Sequence, residues 1–413
     1  MGCASSSPET VVNAAQKKRE RETTAGTDAM AIGTASSHIS SIKPNKNEDI
    51  TSGFKPSTSS TSISVGSISL RYACLTQRGR DPDHPSKLNQ DCFGHHFNPS
   101  SAFFAVYDGH GPYGEQCSHF VRKKLPTLLK NNIKQQADLL PVVDVIHNSL
   151  HDAHVDCNEE LRKSEINDSH SGTTSVGVYI NNDNRITISN VGDSRILLGT
   201  TSGLHIQAVP LSKDHTPYRK DEAKRCTDQG ARILSFGQVD PKSVGENEDD
   251  VEDPPRVWAR DGHYPGTAFT RSIGDSVAER LGVYAEPEML TMPISPSERL
   301  LVLASDGVFD VVPNQEVVDI CFRHRHDPAQ ACKEVIDKSH EEWLLNDDCC
   351  EDEANYDDMT CIVIFFDHPG QDNSQPPQET SPQQQTHRHG KRVRQKTLRN
   401  LEEMEMEEQK EGR

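Results

Sequence analysis

Aspartate recurs at the ends of apolar runs in this chain. Residues 101–111 read SAFFAVYDGHG, so that Asp108, Gly109 and His110 close a run of apolar side chains. LLVLASDG ends in the same way at Asp306, ITISNVGDSR carries Asp193, and Asp357 and Asp358 stand immediately ahead of MTCIVIFF. Singly, each is an ordinary turn residue or cap, and Asp-Gly after an apolar run is a strong hairpin signal. Jointly they point elsewhere. In an antiparallel sheet the start of one strand lies beside the end of its neighbour, so Asp108, Asp193, Asp306 and Asp357 are expected at one sheet edge. Carboxylates so gathered repel unless a cation holds them, and the hard cations Mg²⁺ and Mn²⁺ take carboxylate, carbonyl and water oxygens. Gly109 allows close backbone approach, which makes its carbonyl a further candidate ligand. His110 can give up a proton near neutral pH. Such a site suits phosphoryl transfer to water: two metals about 4 Å apart share a hydroxide in line with phosphorus, and a nearby acid protonates the leaving alkoxide.

The elements that must position these groups follow from periodicity. RYACLTQRG, DCFGHHF and SAFFAVY read as strands. GEQCSHFVRKKLPTLLKNN has helical spacing at Cys117, Phe120, Val121, Leu125 and Leu128, with Pro126 expected to kink or end its first part. PVVDVIHNSLHDAHVDCNEELRK repeats the spacing at Val142, Val145, Ile146, Leu150 and Ala153. TTSVGVYI, RITISNVG, SRILLG and LHIQAVPL read as a meander whose hairpin-length connections imply antiparallel pairing. KDEAKRCTDQGAR is a short helix closing at Gly230, and two more helices follow, with Asn314 and Asp327 expected as N-caps. DDMTCIVIFF is the last strand. Strands, helices, strands and helices in that order predict an α+β fold: a central antiparallel β-sandwich flanked by helices on both sides, four layers αββα.

Composition bounds the rest. The 413 residues carry a net charge of −19 and only 33% hydrophobic residues. Residues 1–67 and 368–413 are almost empty of large apolar side chains and are each close to neutral. The chain is therefore read as a Ser/Thr-rich tether (1–67), a folded domain (68–367) and a Gln/Pro-rich, then basic and acidic, tail (368–413). The charge thus sits on the domain, which argues against a nucleic-acid surface. Eleven scattered cysteines with no CxxC pair point to a reducing compartment rather than a disulfide framework. No run approaches the roughly 18 apolar residues of a membrane span. SVGENEDDVEDPPR reads as an exposed acidic insertion, covering residues 245–253.

MGCASSS fits the N-myristoylation pattern, with Gly2 as acceptor and Cys3 placed for palmitoylation. One myristoyl chain binds membranes only marginally and stable anchoring takes two signals, so the pair is the more effective reading. Lys17, Lys18, Arg19 and Arg21 add weak attraction to an anionic leaflet, blunted by Glu20 and Glu22. The expected location is the cytoplasmic face of a membrane, partly cytosolic, with the nucleus ranked below it despite HRHGKRVRQK.

YDGHG, SGTTSVG, ISNVGDSRILL, PGTAFTRSIGD, LVLASDGVFDVV and YDDMTCIVI, in this order, closely resemble the metal-dependent protein serine/threonine phosphatases of the protein phosphatase 2C family. The resemblance runs from about Ser69 to Phe366. It implies an enzyme acting on phosphoserine and phosphothreonine in phosphoprotein substrates, with a binuclear Mg²⁺ or Mn²⁺ centre and a weaker third metal; a monomer is expected. By motif, Asp108 would bridge both metals, the Gly109 carbonyl would join the second, and Asp306 and Asp357 would hold the first. His110 would be the general acid. Asp193 and Asp310 match positions tied to the third metal, Thr174 and the GDSR and RSIGD segments would buttress the site, and His215 to Trp258 would form a flap. SKLNQD departs from the pattern. Ser86 stands at the phosphate-binding arginine position, which leaves Lys87 as a candidate phosphate contact. Gln90 replaces a glutamate, Asp91 is kept, and Asp358 stands where the family usually has Asn. Two alternatives remain beside this reading: a catalytically silent relative serving as a membrane-anchored phosphoprotein-binding module, and a hydrolase of another phosphoester.

Overall fold

The computed structural model describes residues 60–137, 141–203, 205–240, 253–347 and 354–368. Along the chain the strands are β1 (Thr61–Val65), β2 (Ile68–Gln77), β3 (Cys92–Asn98), β4 (Ser101–Tyr107) and β5 (Gly109–His110). Helices α1 (Gly114–Gln136) and α2 (Val142–Arg162) come next. They are followed by β6 (Gly172–Thr173), β7 (Ser175–Asn181), β8 (Arg185–Val191), β9 (Arg195–Ser202) and β10 (His205–Pro210). A smaller region holds α3 (Lys220–Asp228), β11 (Arg232–Leu234), α4 (Phe236–Val239), β12 (Arg256–Trp258), β13 (Pro265–Thr267), β14 (Ile273–Gly274) and α5 (Ser276–Glu279). The last elements are β15 (Glu288–Pro293), β16 (Glu298–Ala304), α6 (Asp306–Phe309), α7 (Asn314–Arg323), α8 (Pro328–Asp347) and β17 (Met359–Asp367).

Two antiparallel sheets form the middle, as the sequence predicts. One is six-stranded in the order β1-β2-β17-β16-β9-β10, the other five-stranded in the order β15-β8-β7-β4-β3. Helices α7 and α8 pack on the outer face of the first sheet, α1 and α2 on that of the second, and β17 and β16 lie against β4 between them. This sandwiching explains the unbroken apolar runs. A strand covered on both faces has no polar side, and Met359 to Phe366 are all buried. Between the six-stranded sheet and its helices, Val302, Val363, Phe365, Val317, Ile320, Val335 and Ile336 form a dry layer.

Several local expectations are corrected. Helix α1 runs through Pro126 without ending; burial of Val121, Leu125, Pro126 and Leu129 outweighs the one backbone bond that proline cannot donate. Within the supposed meander, β7 pairs with β8 and β9 with β10, yet β8 and β9 belong to different sheets. The chain changes sheet at Gly192–Ser194, with Gly192 at φ 101°. Asn314 does not cap α7, because Arg195 Nη1 donates to its side-chain oxygen at 2.7 Å. Asp327 does cap α8, accepting from the backbone of Ala329 and Gln330. Strand β1 pairs with β2 along Thr61–Val65, inside the segment that composition assigns to the tether. Gly2, Cys3, the basic cluster at 17–21 and the tail from 369 onward lie outside the described residues, as does the acidic insertion except for Asp253.

Candidate active site

Register brings the aspartates together. The last pair of β16 and β17 is Ala304 with Cys361, and the same Ala304 pairs with Arg195 of β9. Asp306, Asp357 and Asp193 therefore converge at one end of the six-stranded sheet. Asp108 follows β4 at the same end of the facing sheet, and Asp310 closes α6. Asp108, Asp193 and Asp306 are partly open to water, while Asp310 and Asp357 are exposed. Thr174 clamps the bridge position from both sides: its N–H donates to the Asp108 carbonyl at 2.8 Å, and its hydroxyl accepts the Asp108 N–H at 3.0 Å. Ser194 of the GDSR segment hydrogen-bonds the Thr174 hydroxyl at 2.7 Å. Gly109 admits no side chain, since a Cβ there would lie 2.3 Å from the Gly114 carbonyl oxygen and 2.6 Å from that of Gln90.

The carboxylates perturb one another. Burial pushes Asp108 well above the usual carboxylate range, and the charges of Asp306, Asp91, Asp357 and Asp193 push the same way. Burial and then Asp306 raise Asp193. Asp306 rises to about 6 through burial and Asp357, although a side-chain hydrogen bond to Asp108 pulls it down. Behind them Asp91, 2% exposed, is pushed up to about 8, mainly by burial and then by Asp358. Two carboxylates about 4 Å apart repel by roughly 4 kcal/mol at an effective dielectric near 20, so such a cluster needs protons or cations to persist. Among the described residues, none of Asp108, Asp193, Asp306 and Asp310 makes an ion pair with a basic side chain. The donor set of carboxylates plus the Gly109 carbonyl is the kind that hard divalent cations take. The side chains as they stand are not closed around a site: among the described residues no three His, Cys, Asp or Glu are grouped to hold a metal ion.

Lys87 reaches the rim of the cluster, its ammonium 3.2 Å from Asp357 and 3.6 Å from Asp358. Burial pulls its pKa down, but those two carboxylates outweigh burial and hold it above the ordinary lysine value. Asp358 accepts from the backbone N–H of Gly79 at 2.6 Å and of Gln90 at 2.8 Å, so the extra charge ties two loops to the start of β17. Gln90 donates its side-chain amide to the Gly111 carbonyl at 2.7 Å, bracing the His110 loop. His110 Nε2 lies 2.6 Å from Asp275 Oδ2, and its ring packs on Phe269 with centroids 4.2 Å apart. The segment from His215 to Trp258 carries α3, β11, α4 and β12, with residues 241–252 outside the described set. Asp275 of the RSIGD segment, which no periodicity in the sequence singles out, is thus a functional residue beside His110.

Comparison with known proteins agrees with this architecture. The sequence model of the family described as "Protein phosphatase 2C" matches residues 83–342. The chain belongs to the protein phosphatase 2C family. It is 43% identical over 303 residues to "Probable protein phosphatase 2C 35" of Arabidopsis thaliana, covering 71% of this chain and 83% of that one. "Probable protein phosphatase 2C 48" of Oryza sativa subsp. japonica is 28% identical, covering 76% of this chain and 88% of that one. Among solved structures, a serine-threonine phosphatase 2C from Toxoplasma gondii superposes with a TM-score of 0.60 at 18% identity, over 75% of this chain and 99% of its own. A C. elegans sex determining protein gives 0.53 at 19% identity, over 71% and 64%. These likenesses confirm the α+β family fold.

Proposed function

We propose that the chain is a metal-dependent protein serine/threonine phosphatase, tethered to the cytoplasmic face of a membrane by acylation at Gly2 and Cys3. The observation that carries the catalytic part is the convergence of Asp108, Asp193, Asp306 and Asp357 at one sheet edge beside His110. Asp108, the Gly109 carbonyl, Asp306 and Asp357 would hold two Mg²⁺ or Mn²⁺ ions, with Asp193 and Asp310 holding a weaker third. Such ions supply charge neutralisation and an activated water when bound. The chain's own groups do the rest. Thr174 fixes the backbone of Asp108, the Gln90 carbonyl accepts the Gly109 N–H at 3.2 Å, and His110 gives a proton to the departing serine or threonine oxygen. Lys87, at the rim of the carboxylate cluster beside Asp357, would serve as a point charge for phosphate, without an arginine's bidentate fork. Retention of Asp108, Asp306 and Asp357 counts against a silent binding module. The tether is supported by the MGCASSS sequence and by the two-signal logic of acyl anchoring.

Phosphate release from a phosphothreonine peptide in Mn²⁺ or Mg²⁺ tests the enzyme reading. Wild type should release phosphate only with the metal, and Asp306→Asn should fall by at least about 100-fold, beyond the range seen for outer-shell changes at metal sites. Metal-independent release, or equal rates for the two proteins, overturns it.

A further inference from the structure

We infer that Asp275 is the positioning residue of the proton donor, holding His110 so that Nδ1 is the nitrogen that serves the leaving group; this rests on the phosphatase reading above. Asp275 occupies the position before α5, where aspartate ordinarily caps a helix with its side chain, but it makes no such cap bond. Its carboxylate is turned elsewhere. Oδ2 lies 2.6 Å from His110 Nε2 and accepts from the Ser272 hydroxyl at 2.6 Å. Asp275 is only 2% exposed. Its backbone sits in the left-handed region at φ 51°, ψ 49°, a conformation that aspartate and asparagine tolerate better than other non-glycine residues.

The surroundings of Asp275 are built for this contact. β5, which carries His110, pairs with β6, and β6 pairs with β14, which leads directly into Asp275. The Asp275 N–H donates to the Ser171 carbonyl at 2.9 Å. A Cβ on Gly172 would come within 2.3 Å of Asp275 Oδ2 and 2.5 Å of the Ser272 hydroxyl, so the glycine in β6 leaves the room that the carboxylate fills.

The consequence is chemical. Asp275 Oδ2 is the acceptor for the Ser272 hydroxyl, and as acceptor for the ring as well it leaves Nε2 carrying the proton of the His110–Asp275 bond. Ser272 also faces Nε2, at 3.4 Å, whereas Nδ1 has no hydrogen-bond partner among the described residues and the ring is 22% exposed. Nδ1 is therefore the nitrogen open to substrate. As water adds to phosphorus, the bond from phosphorus to the serine or threonine oxygen breaks with its electron pair on that oxygen. The oxygen takes the proton from Nδ1 of the imidazolium, leaving a neutral ring that keeps its Nε2–H on Asp275. Solvent then returns a proton to Nδ1, in balance with the one that the attacking water releases. A carboxylate held behind an imidazole fixes tautomer and orientation in this way on unrelated folds.

The test compares two leaving groups in the full-length enzyme with metal bound. A phosphothreonine peptide departs as an alkoxide that needs a proton, whereas p-nitrophenyl phosphate departs as a stabilised phenolate that does not. Asp275→Asn keeps a residue that tolerates the left-handed backbone. It should lower kcat on the peptide by about 10–100-fold with KM nearly unchanged, and on the aryl phosphate by less than about threefold, by analogy with loss of outer-shell partners. His110→Gln should show the same selectivity, and the double variant should be no worse than His110→Gln, as for two residues acting as one unit. If His110→Gln is selective but Asp275→Asn slows both substrates equally or alters only KM, the positioning role is overturned while the phosphatase reading stands. If wild type cleaves neither substrate, the phosphatase reading fails and this inference with it; if wild type is active but His110→Gln shows no selectivity, His110 is not the proton donor and this inference falls while the phosphatase reading stands. Should Asp275→Asn not fold, ¹⁵N NMR of wild-type His110 decides: a neutral ring protonated on Nε2 supports the assignment, and one protonated on Nδ1 overturns it.

Discussion

Asp91 and Asp306 are carboxyl groups held where ionisation is costly, and this gives the protein a pH signature. Both have pKa values raised on folding, to about 8 and about 6, from an ordinary value near 4. Between those limits the folded chain binds more protons than the unfolded one, so stability falls as pH rises. The stabilising protonation is fully present only below the unfolded value and is lost as pH climbs through 6 and then 8. Buried His154 works the other way at the acid end. Its pKa is lowered to about 4 by burial, so the folded state loses ground below the unfolded histidine value near 6.5. The clean window is therefore pH 6.5 to 8.5. In chelator, the thermal midpoint should drop steadily as pH is raised across it. Saturating Mg²⁺ should flatten that slope and raise the midpoint, because bound cations stabilise the ionised cluster. Asp306→Asn in chelator should also melt higher than wild type at pH 8. A slope of the opposite sign, or one indifferent to metal, would show that the carboxylates are not coupled as the geometry requires.

At the scale of elements, the change of sheet between β8 and β9 matters most. Gly192 combines φ 101° with a Cβ direction only 2.6 Å from a methyl carbon of Thr174, the residue that clamps Asp108. Gly192→Ala should cost about 1–3 kcal/mol in denaturant unfolding through overpacking, and should lower phosphatase activity because Thr174 must shift. Gly230→Ala is the control. It too has positive φ, 91°, but open space where its Cβ would be, so it should lose some stability with activity intact. Equal activity in the two variants would show that Thr174 does not hold Asp108 in its working position. The same crossover shows where sequence reading stopped. The runs SAFFAVY, RLLVLA and MTCIVIFF declare themselves because strands covered on both faces are apolar throughout. NVGDS looks like a hairpin turn locally. What splits it is remote: Thr174 packs on Gly192, and His215 Nδ1 accepts the Gly192 N–H at 3.1 Å. Strand β1 was hidden for a different reason, since only Ile63 and Val65 of TSISV are large and apolar. Asn314 was misread as a cap because its partner, Arg195, lies more than a hundred residues away. Asp275 had no periodic signal at all; only its backbone angles and its contact with His110 single it out. Carboxylate positions were legible because strand ends are legible, and the contacts that tune them were not.

At the scale of the whole molecule, charge and anchor oppose each other. The net charge of −19 sits almost wholly on residues 68–367, which carry the carboxylate cluster, so an anionic leaflet repels that part of the chain. The basic residues near the N-terminus are partly cancelled by Glu20 and Glu22, which leaves the acyl chains at Gly2 and Cys3 as the main source of attraction in the proposed tether. This fixes the sign of the salt effect. An anchor made by Lys and Arg weakens as salt screens it within a Debye length of about 8 Å at physiological ionic strength. An acyl anchor on an acidic protein should hold or strengthen as salt rises, because only the repulsion is screened. In cells, Gly2→Ala should move the protein from the membrane to the soluble fraction, since Cys3 is then presented without the first chain. Cys3→Ser should leave weak, reversible binding, as expected for a single myristoyl chain with an association constant of about 10⁴ M⁻¹. Fractionation at low and high salt separates the mechanisms: wild type released by salt would mean that the basic cluster, not acylation, makes the contact. Unchanged partitioning of Gly2→Ala would remove the tether altogether while leaving the carboxylate cluster and its chemistry untouched.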